Sequence, residues 1–474
     1  DGELSDQADP SDFDLSKAKL LTLTNQKVTT WHCMVKEDRD EAALVNLLNA
    51  FRAACHYGAE AAVYRIENCE TFYNILHSTL SSAPDSFLAL FQISSSKSGK
   101  EVLFQLSKAS KWKSLRPLVK SFVRSTLFLL NQVTDRDILR FVLTNLRAAL
   151  VFFAAFPLLI PPLVKVCVHL WATRDETLSS ASFSILRDLV VVFGSIDLET
   201  CLGKMFRAFL SRSRAAQISD VASIQFLRDC LVQLCSVDLQ KSSLKVSAST
   251  NQISKLLSWG LKTKKKEAIR RLCSFEYVNC IDLWVSFIAA YMTDCDVKYA
   301  YFMIIRVING VALMFPGPRY FPLRLRCIEW LNNLSRSSGN FIPVTSIVLD
   351  IFEYKFVKEG KKAESCVDMS SVLKVPKRYL KSKTFQEECF RCAVEQMSFH
   401  FSQWSFHISF PDLAAIPLVR LNRALETTTC ESLRRMVKRL IVQVEQNAEF
   451  VQKKRDEIAV SPSDHQSADM FLQV

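Results

Sequence analysis

The chain has little glycine and little proline for its length. Among 474 residues, 10 are glycine and 14 are proline, whereas an all-β protein needs a turn residue about every ten positions. This scarcity argues against an all-β fold and against extensive low-complexity disorder. Long helices joined by short connections are the expectation that remains.

The sequence also lacks the short motifs of the common enzyme families. No two glycines stand at the spacing of a dinucleotide-binding loop or a P-loop, so the usual backbone cradle for phosphate is missing. There is no GxSxG elbow and no HExxH helix, and the seven histidines lie far apart. These absences argue against nucleotide hydrolysis. We predict a protein with no catalytic site and no cofactor.

One segment resembles part of a metal site. Cys389 and Cys392 form a CFRC pair, and His400 and His407 follow. A zinc finger expects about twelve residues before its first histidine, which this spacing does not provide. Two cysteines three positions apart on a helix share one face, so we interpret them as core residues and predict no metal. The 15 cysteines are scattered, which is typical of reduced thiols in an intracellular protein.

Long hydrophobic runs are scarce. The longest without a charge is Ala148–Val164, about seventeen residues, at the lower limit for spanning a bilayer. It contains Pro157, Pro161 and Pro162, which remove backbone hydrogen bonds that lipid cannot replace. We therefore predict two buried helices that meet at a turn.

Positive charge is in excess but unevenly spread. The chain carries 60 lysines and arginines against 48 acids, a net charge of +12. Residues 1–16 hold six of the acids and no base, so the remainder has 60 bases against 42 acids, or +18. Such an excess favours a polyanionic partner. Nucleic acid, an acidic protein tail and an anionic membrane surface all fit the charge alone.

Apolar residues recur at three- and four-residue spacing along most of the chain. The run 115–133 is one such stripe, and 433–444 is another, with Thr428 and Glu431 spaced as a capping box before it. In this last helix the apolar and basic residues lie on opposed faces. We predict an all-α fold, an armadillo- or HEAT-like α-solenoid of stacked amphipathic helices. A compact multi-helix domain is the alternative.

Composition shifts along the chain predict five segments. Residues 1–16 form an acidic disordered tail, and residues 17–240 form an N-terminal helical repeat region. The serine-rich segment 241–254 is predicted as a loop. Residues 255–456 form a C-terminal helical repeat region, and residues 457–474 form a second disordered tail.

Basic residues are grouped in a few places. The segment KTKKKEAIRR is the densest, and it also has the composition of a nuclear-localisation signal. In RYFPLRLRC the arginines stand beside aromatic rings, a combination that stacks on unpaired bases, although helical spacing places Phe321 in a core. The alternative for each group is a solvated helix face. We predict contacts with RNA or a partner protein from Lys262, Lys264, Lys265, Lys266, Arg270, Arg271, Arg319, Arg324, Lys377, Arg378, Arg434, Arg435, Lys438, Arg439, Lys453, Lys454 and Arg455.

Several ordered segments resemble the nucleolar complex protein 2 family. They are TKKKEAIRRLCSFEYVNCIDLW (263–284), FPGPRYFPLRLRCIEWLNNLSRSSGNFIP (315–343), VLKVPKRYLKSKTFQEE (372–388), HISFPDLAAIPLVRL (407–421) and QNAEFVQKKRDE (446–457). Upstream, KWKSLRPLVKSFVRSTLFLL and AAFPLLIPPLVK resemble it as well, so the resemblance covers about residues 30 to 460. The chain departs from the family pattern at 316–318 and at 325–326, where phenylalanine and histidine are expected. A diverged paralogue with altered partners is therefore an open alternative.

The resemblance implies a non-catalytic helical protein of the nucleolus and nucleoplasm. It further implies assembly and intranuclear transport of large (60S) ribosomal subunit precursors, with contacts to pre-rRNA and to no membrane or small-molecule substrate. The implied partners are homologues of nucleolar complex protein 1, on early pre-60S particles, and of nucleolar complex protein 3, on later ones. The competing hypothesis is a chromatin- or histone-associated transcriptional co-regulator, because a basic helical array can also hold histone tails or acidic regulators.

We expect the partner interface in the C-terminal half, within residues 374–444. Apolar and basic groups are mixed there, as they are between the core and the rim of an interface. Leu413, Ile416 and Leu418 are its apolar candidates. The alternative is that all three belong to the internal core, because apolar helical positions are usually buried.

Overall fold

The computed structural model describes residues 21–57, 64–93, 99–193, 195–214, 220–354, 368–369, 371–428, 430–457 and 471. The predicted tails, 1–16 and 457–474, lie outside this part of the chain, apart from Glu457 and Phe471. The chain divides into two compact units, Asp1–Lys204 and Met205–Val474. We describe each unit by itself.

Where the structure describes it, the first unit is helical apart from two short strands. In chain order it contains β1 (Leu21–Leu23), α1 (Asn25–Glu37), α2 (Glu41–Cys55), β2 (Tyr64–Ile66), α3 (Cys69–Leu90), α4 (Gly99–Lys108), α5 (Trp112–Gln132), α6 (Arg136–Ala154), a 3₁₀ turn (Pro157–Leu159), α7 (Ile160–Trp171), α8 (Glu176–Phe193) and the first part of α9 (Ser195–Arg214). The strands pair in parallel, with Leu21 opposite Tyr64.

In its described residues, the second unit continues with α9 and ten further helices. They are α10 (Val221–Cys235), α11 (Leu239–Thr263), α12 (Lys266–Leu272), α13 (Phe275–Ala290), α14 (Lys298–Met314), α15 (Phe321–Ser338), α16 (Thr345–Phe352), α17 (Lys383–Trp404), α18 (Phe410–Thr427) and α19 (Glu431–Asp456). Short 3₁₀ turns occur at Cys295–Val297, Pro318–Tyr320 and Lys377–Lys381.

Local capping chemistry explains many helix ends. The Asp135 carboxylate accepts from the backbone N–H groups of Asp137 and Ile138 at the start of α6, at 3.0 and 2.9 Å. Ser274 accepts from the N–H of Tyr277 at the start of α13. Side chains of this kind pair N–H groups that have no partner within the helix. At the C-terminal end of α15, Gly339 adopts a left-handed conformation that ends the helix.

Helices in each unit pack against their near neighbours in sequence. In the second unit α11 contacts α12, α13 and α14, and α15 contacts α13, α14, α16 and α17. In the first unit α2 contacts α1, α3 and α5. Packing between successive helices is how stacked helical repeats form a continuous core. The predicted all-α fold of armadillo- or HEAT-like solenoid type is confirmed.

The segment 241–254, predicted as a loop, lies inside α11, so that prediction is wrong. Asp238 caps this helix by accepting from the N–H of Lys241 at 3.0 Å. The serines are small residues at buried positions: the Ser242 hydroxyl donates to the Cys235 carbonyl, and Ser249 accepts from the Trp284 indole at 2.8 Å. A serine-rich composition therefore reflects close packing here. The compact units also divide at Lys204 and Met205, upstream of the predicted boundary.

The proline-containing hydrophobic run folds as two helices. α6 ends at Ala154 and α7 begins at Ile160, with the 3₁₀ turn between them. Phe152 and Leu163, one on each side of the turn, are buried, so this prediction is confirmed. Within the described ranges, no single helix is long and apolar enough to cross a membrane. One bent pair, Lys266–Leu272 with Phe275–Ala290, has the length and composition of a span only when the two helices are joined across a 44° break.

A buried polar network joins α15 to α17. His400 Nδ1 lies 3.1 Å from Asn332 Oδ1, and the Asn332 amide donates to the side-chain and backbone oxygens of Gln396. Because an amide oxygen can only accept, Nδ1 carries the proton of the neutral imidazole. Burial lowers the pKa of His400 to about 4.

Acid should therefore weaken the second unit through His400. The lowered pKa means that the folded state holds the neutral ring, so the stabilisation is complete above the ordinary pKa of 6.5 and is lost as the pH falls towards 4. We expect His400 to account for about 2–3 kcal/mol of the free energy of unfolding over this interval. Urea unfolding at a series of pH values measures it. His400→Gln should flatten the slope, whereas His169→Gln, at an exposed position of α7, should leave it unchanged; equal slopes for all three chains contradict the assignment.

Candidate nucleic-acid and partner surfaces

The densest basic group lies at the turn between α11 and α12. Lys264, with φ 50°, ends α11 in a left-handed conformation, and its N–H donates to the Gly260 carbonyl at 2.9 Å. Lys265 is the N-cap residue of α12. We define the turn cluster as Lys262, Lys264, Lys265, Lys266, Arg270 and Arg271, all of which are exposed.

Helix stability does not account for two of the charges of the turn cluster. Lys265 and Lys266 stand at the N-terminal end of α12, where the helix dipole disfavours positive charge. Glu267 lies 3.7 Å from Arg271, an exposed pair that contributes little to stability. Several cations on one turn present a concentrated positive potential to solvent. Such a group binds phosphates through electrostatic attraction and counterion release.

A second basic surface lies on α19. Arg434, Arg435, Lys438 and Arg439 are exposed. The opposite side of the helix is apolar and buried, at Leu433, Val437, Leu440 and Ile441. We call the four cations the α19 basic face. The predicted separation of apolar and basic faces is confirmed.

The predicted capping box of α19 is wrong. The helix begins at Glu431 after Cys430, and no side chain caps it. Thr428 instead follows the end of α18, where its hydroxyl donates to the Ala424 carbonyl at 2.7 Å. A threonine hydroxyl can serve either helix, and the short connection places it on the earlier one.

Two family-like motifs meet at Arg319. Its backbone carbonyl accepts from the Val375 N–H at 2.7 Å, and its Nε donates to the Val375 carbonyl at 3.0 Å. Arg319 is half-buried, so its guanidinium has a structural role in joining the two segments. Lys377 and Arg378 follow on an exposed 3₁₀ turn, with the Arg378 guanidinium 4.8 Å from the Tyr379 ring centre. These two remain candidate contacts.

Arg324 is not a surface contact, which corrects the prediction. Its side chain is 4% exposed, and its Nη2 donates to Asp350 Oδ2 at 2.8 Å and to the Ile347 carbonyl at 3.3 Å. Nη1 reaches the Pro316 carbonyl at 3.4 Å. The guanidinium thus ties α15 to α16. Phe321 is buried, as predicted.

The cations at the end of α19 are paired with local acids. Lys453 lies 2.9 Å from Glu449, and Lys454 lies 2.7 Å from Glu457. Arg455 reaches Asp412 of α18 at 2.8 Å. These pairs reduce the net potential at this end, so the group fits an anion less well than the turn cluster does.

α18 carries an exposed apolar surface. Ile416 and Val419 are 72% and 71% exposed and stand three positions apart on one side of the helix. We call this pair the α18 apolar surface. Leu413 and Leu418 are half-buried, so the core alternative is wrong for Ile416. Val419 was not among the predicted interface residues, although its spacing from Ile416 indicates the same face.

A polar groove of about 550 Å³ lies between α10, α13 and α15. On its floor, Asp282 accepts from Arg228 at 2.8 Å and from the Trp330 indole at 2.7 Å. Burial, reinforced by Asp282, raises the pKa of Glu329. Because the three helices are distant in sequence, no local motif could indicate the groove. The acids and arginines that line it balance one another and select no charge class of ligand.

The CFRC pair lies on α17 within the second unit. Cys389 is buried and Cys392 half-buried, and burial raises the pKa of the Cys392 thiol to about 12. A protonated thiol is a poor metal ligand and a poor nucleophile. His400 is held by Asn332 instead. In the parts of the chain that the structure describes, no three histidines, cysteines or acids stand close enough to hold a metal ion.

Comparison with known proteins gives consistent relatives. The model of the Noc2p family matches residues 197–474. Protein REBELOTE of Arabidopsis thaliana is 48% identical over 100% of this chain and 80% of its own length. Nucleolar complex-associated protein 2 of the same organism is 32% identical over 95% of this chain and 60% of its own length, and nucleolar complex protein 2 of Drosophila melanogaster is 22% identical over 75% and 47%. Among solved structures, a circular tandem repeat protein covers 90% of this chain at 12% identity, with a TM-score of 0.23 that is too low to support a fold argument.

Proposed function

This chain belongs to the Noc2p family, and we propose that it is a non-catalytic scaffold in the assembly of the large (60S) ribosomal subunit in the nucleolus. The observation that carries the proposal is the 32% identity, over 95% of this chain, to a relative named nucleolar complex-associated protein 2. The chain spans 60% of that relative's length. The proposal includes movement of the particles into the nucleoplasm and heterodimers with homologues of nucleolar complex proteins 1 and 3.

Contact with pre-rRNA is the second part of the proposal. The turn cluster supports it, because its six cations are exposed and only Glu267 is an acid within α12. The α19 basic face supplies a further group of four. Lysines and arginines on helix ends and helix faces bind phosphates without reading sequence. The surfaces therefore suit a scaffold that holds RNA whose sequence it does not select.

Contact with a partner protein is the third part. The α18 apolar surface supports it. Its two aliphatic side chains are more than two-thirds exposed, and burial of apolar surface by a partner protein is favourable. Arg423, also exposed on α18, supplies a charged rim. This surface lies inside the segment 374–444 in which the sequence analysis expects the interface.

Crosslinking of the tagged full chain in cells tests the proposal as a whole. We expect large-subunit pre-rRNA and a homologue of nucleolar complex protein 1 or 3 among the crosslinked neighbours. Recovery of histones and chromatin DNA without pre-rRNA would contradict the proposal and favour the chromatin co-regulator hypothesis. Reproducible turnover of a substrate by the purified chain would contradict the non-catalytic assignment.

The variant Lys264→Ala, Lys265→Ala, Lys266→Ala should bind single-stranded RNA about tenfold more weakly at roughly 0.15 M salt. Each lysine that neutralises a phosphate adds about 0.7 to the slope of log affinity against log salt, so the slope should fall by about 2. Fluorescence anisotropy of a labelled RNA across a salt series measures both quantities.

A charge-preserving variant is the matched control for this experiment. Lys264→Arg, Lys265→Arg, Lys266→Arg keeps the cations and, like the alanine variant, keeps a Cβ at the left-handed position 264. Both variants therefore carry the same backbone cost. The arginine variant should retain the affinity and the slope. If the alanine variant also retains them, the turn cluster does not bind RNA and the localisation-signal hypothesis gains.

A further inference from the structure

Two neighbouring helices of the second unit contain no acidic residue. α11 has 25 residues and α14 has 17, and neither includes aspartate or glutamate. Their six cations are all exposed: Lys241, Lys245, Lys255, Lys262, Lys298 and Arg306. The nearest acids in sequence, Asp238 and Asp296, precede the two helices. A helical pair of one charge sign is unlike the mixed surface that a solvated helix presents.

α11 and α14 pack side by side through close contacts. A Cβ on Gly310 would stand 2.6 Å from Leu257, and one on Gly260 would stand 3.2 Å from Met314. The two contacts advance in the same direction along both helices, so the helices run parallel. Glycine at these positions leaves room for a side chain of the facing helix. Leu261 follows Gly260 directly, so its exposed side chain adjoins the exposed face of α14.

This surface also exposes large apolar side chains. On α14, Tyr299, Phe302 and Leu313 are between 60% and 76% exposed, and with Arg306 they follow the three- and four-residue spacing of one helix face. On α11, Leu261 is 45% exposed. Two helices with four such residues form the kind of apolar patch that marks an interaction site.

We propose that the α11–α14 surface, defined by Leu261, Tyr299, Phe302, Arg306 and Leu313, docks an amphipathic helix of a partner protein whose apolar stripe is flanked by acidic residues. Aromatic residues and arginine are the side chains that carry most binding free energy in protein interfaces. The missing acids make the surface electrostatically complementary to such a helix. The proposal adds a second protein-binding surface, distinct from α18, and does not depend on which particle the chain serves.

Other occupants fit the surface less well. Leu261 and Leu313 are aliphatic and cannot stack on bases, so they gain nothing from RNA. A second copy of the chain would bring two positive faces together, which is repulsive. The helix-in-groove mode instead uses both features, with apolar anchors at helical spacing and charged flanks.

A designed peptide tests the proposal on the full chain. The probe is a fluorescein-labelled helix of about 20 residues, long enough to cover α14, with leucine on one face and glutamate elsewhere. The comparison peptides replace every glutamate by lysine, or every leucine by serine. We expect binding of the Glu/Leu peptide and at least about tenfold weaker binding of both comparison peptides, since each tenfold step is about 1.4 kcal/mol.

The double variant Phe302→Ser, Arg306→Glu should reduce affinity for the Glu/Leu peptide at least about tenfold. The matched control is Phe104→Ser, Lys108→Glu, which makes the same kind of change at the same four-residue spacing on α4, where Phe104 is also exposed. It should bind the peptide normally. Circular dichroism should show both variants folded, because substitutions at exposed positions have little effect on stability.

Four outcomes overturn the proposal. They are equal binding of the Glu/Leu and Lys/Leu peptides, an undiminished affinity in the Phe302→Ser, Arg306→Glu variant, a loss of oligouridine affinity in that variant with peptide binding intact, and the same pattern with phosphatidylserine vesicles. The last two assign the surface to RNA or to a membrane. Failure of the proposed function is a separate result, because it is measured by pre-rRNA crosslinking and by co-purification with nucleolar complex protein homologues.

Discussion

The double variant Ile416→Asp, Val419→Asp is expected to bind a nucleolar complex protein 1 or 3 homologue at least about 100-fold more weakly than the unchanged chain. Burial of each aliphatic side chain contributes about 1.5–3 kcal/mol. The substitution also places two carboxylates in an interface that would have to desolvate them. Both residues are more than two-thirds exposed in the isolated chain, so the fold should be unaffected.

Co-purification followed by titration calorimetry measures this effect. The matched control is Leu158→Asp in the first unit, where the leucine is 90% exposed on the 3₁₀ turn before α7. It should bind the homologue normally. Point variants are preferable to deletion of residues beyond 370, because α15 packs on α17 through Asn332 and Gln396. Full affinity in the double variant would place the interface elsewhere, and failure of the unchanged chain to bind either homologue would reject the heterodimer.

Replacement of Arg324 by alanine is expected to lower the free energy of unfolding by about 2–4 kcal/mol. The change removes a buried guanidinium together with its hydrogen bonds to the Ile347 carbonyl and to Asp350. It also leaves a space between α15 and α16. Asp350 is half-exposed, so water can solvate its carboxylate. The loss of stability therefore comes mainly from the space left beside α15 and from the lost hydrogen bonds.

Urea unfolding of the purified variants measures this loss. Arg336→Ala is the matched control, because Arg336 is exposed on the same helix, and it should cost about 0.5 kcal/mol or less. If Arg324→Ala is as stable as the control, the guanidinium contributes no net stability. A folded Arg324→Ala chain with normal stability and weakened RNA affinity would restore Arg324 to the list of candidate contacts.

The helical organisation and much of the surface chemistry could be predicted from the sequence. Period-3.6 stripes require one buried face, so the apolar side of α19 and its basic face followed directly from spacing. Prolines in the run 148–164 predicted the turn between α6 and α7 because they remove helix hydrogen bonds. Runs of lysine such as 264–266 are exposed wherever the chain places them, since an unpaired charge is costly to bury.

Other features required the neighbours to be known. Segment 241–254 has the composition of a loop, yet Ser249 is buried within a helix. Its hydroxyl accepts from the indole of Trp284, a residue 35 positions away. Arg319 and Arg324 are both arginines in one short segment, but their surroundings differ. Arg324 is buried and pairs with Asp350, whereas Arg319 is held by Val375. No periodicity in a single helix contains this information.

The sequence by itself determined the fold class, the family and the exposed cations, because these depend on local periodicity, composition and ordered motifs. Only the tertiary structure decided which apolar positions lack a cover. Ile416 and Phe302 have the same helical spacing as core residues, and they are exposed because no described helix packs over those faces of α18 and α14. The physical reason is that burial depends on the surface that packs against a helix. A stripe of apolar residues indicates that the helix has a buried side, and packing determines how wide that side is.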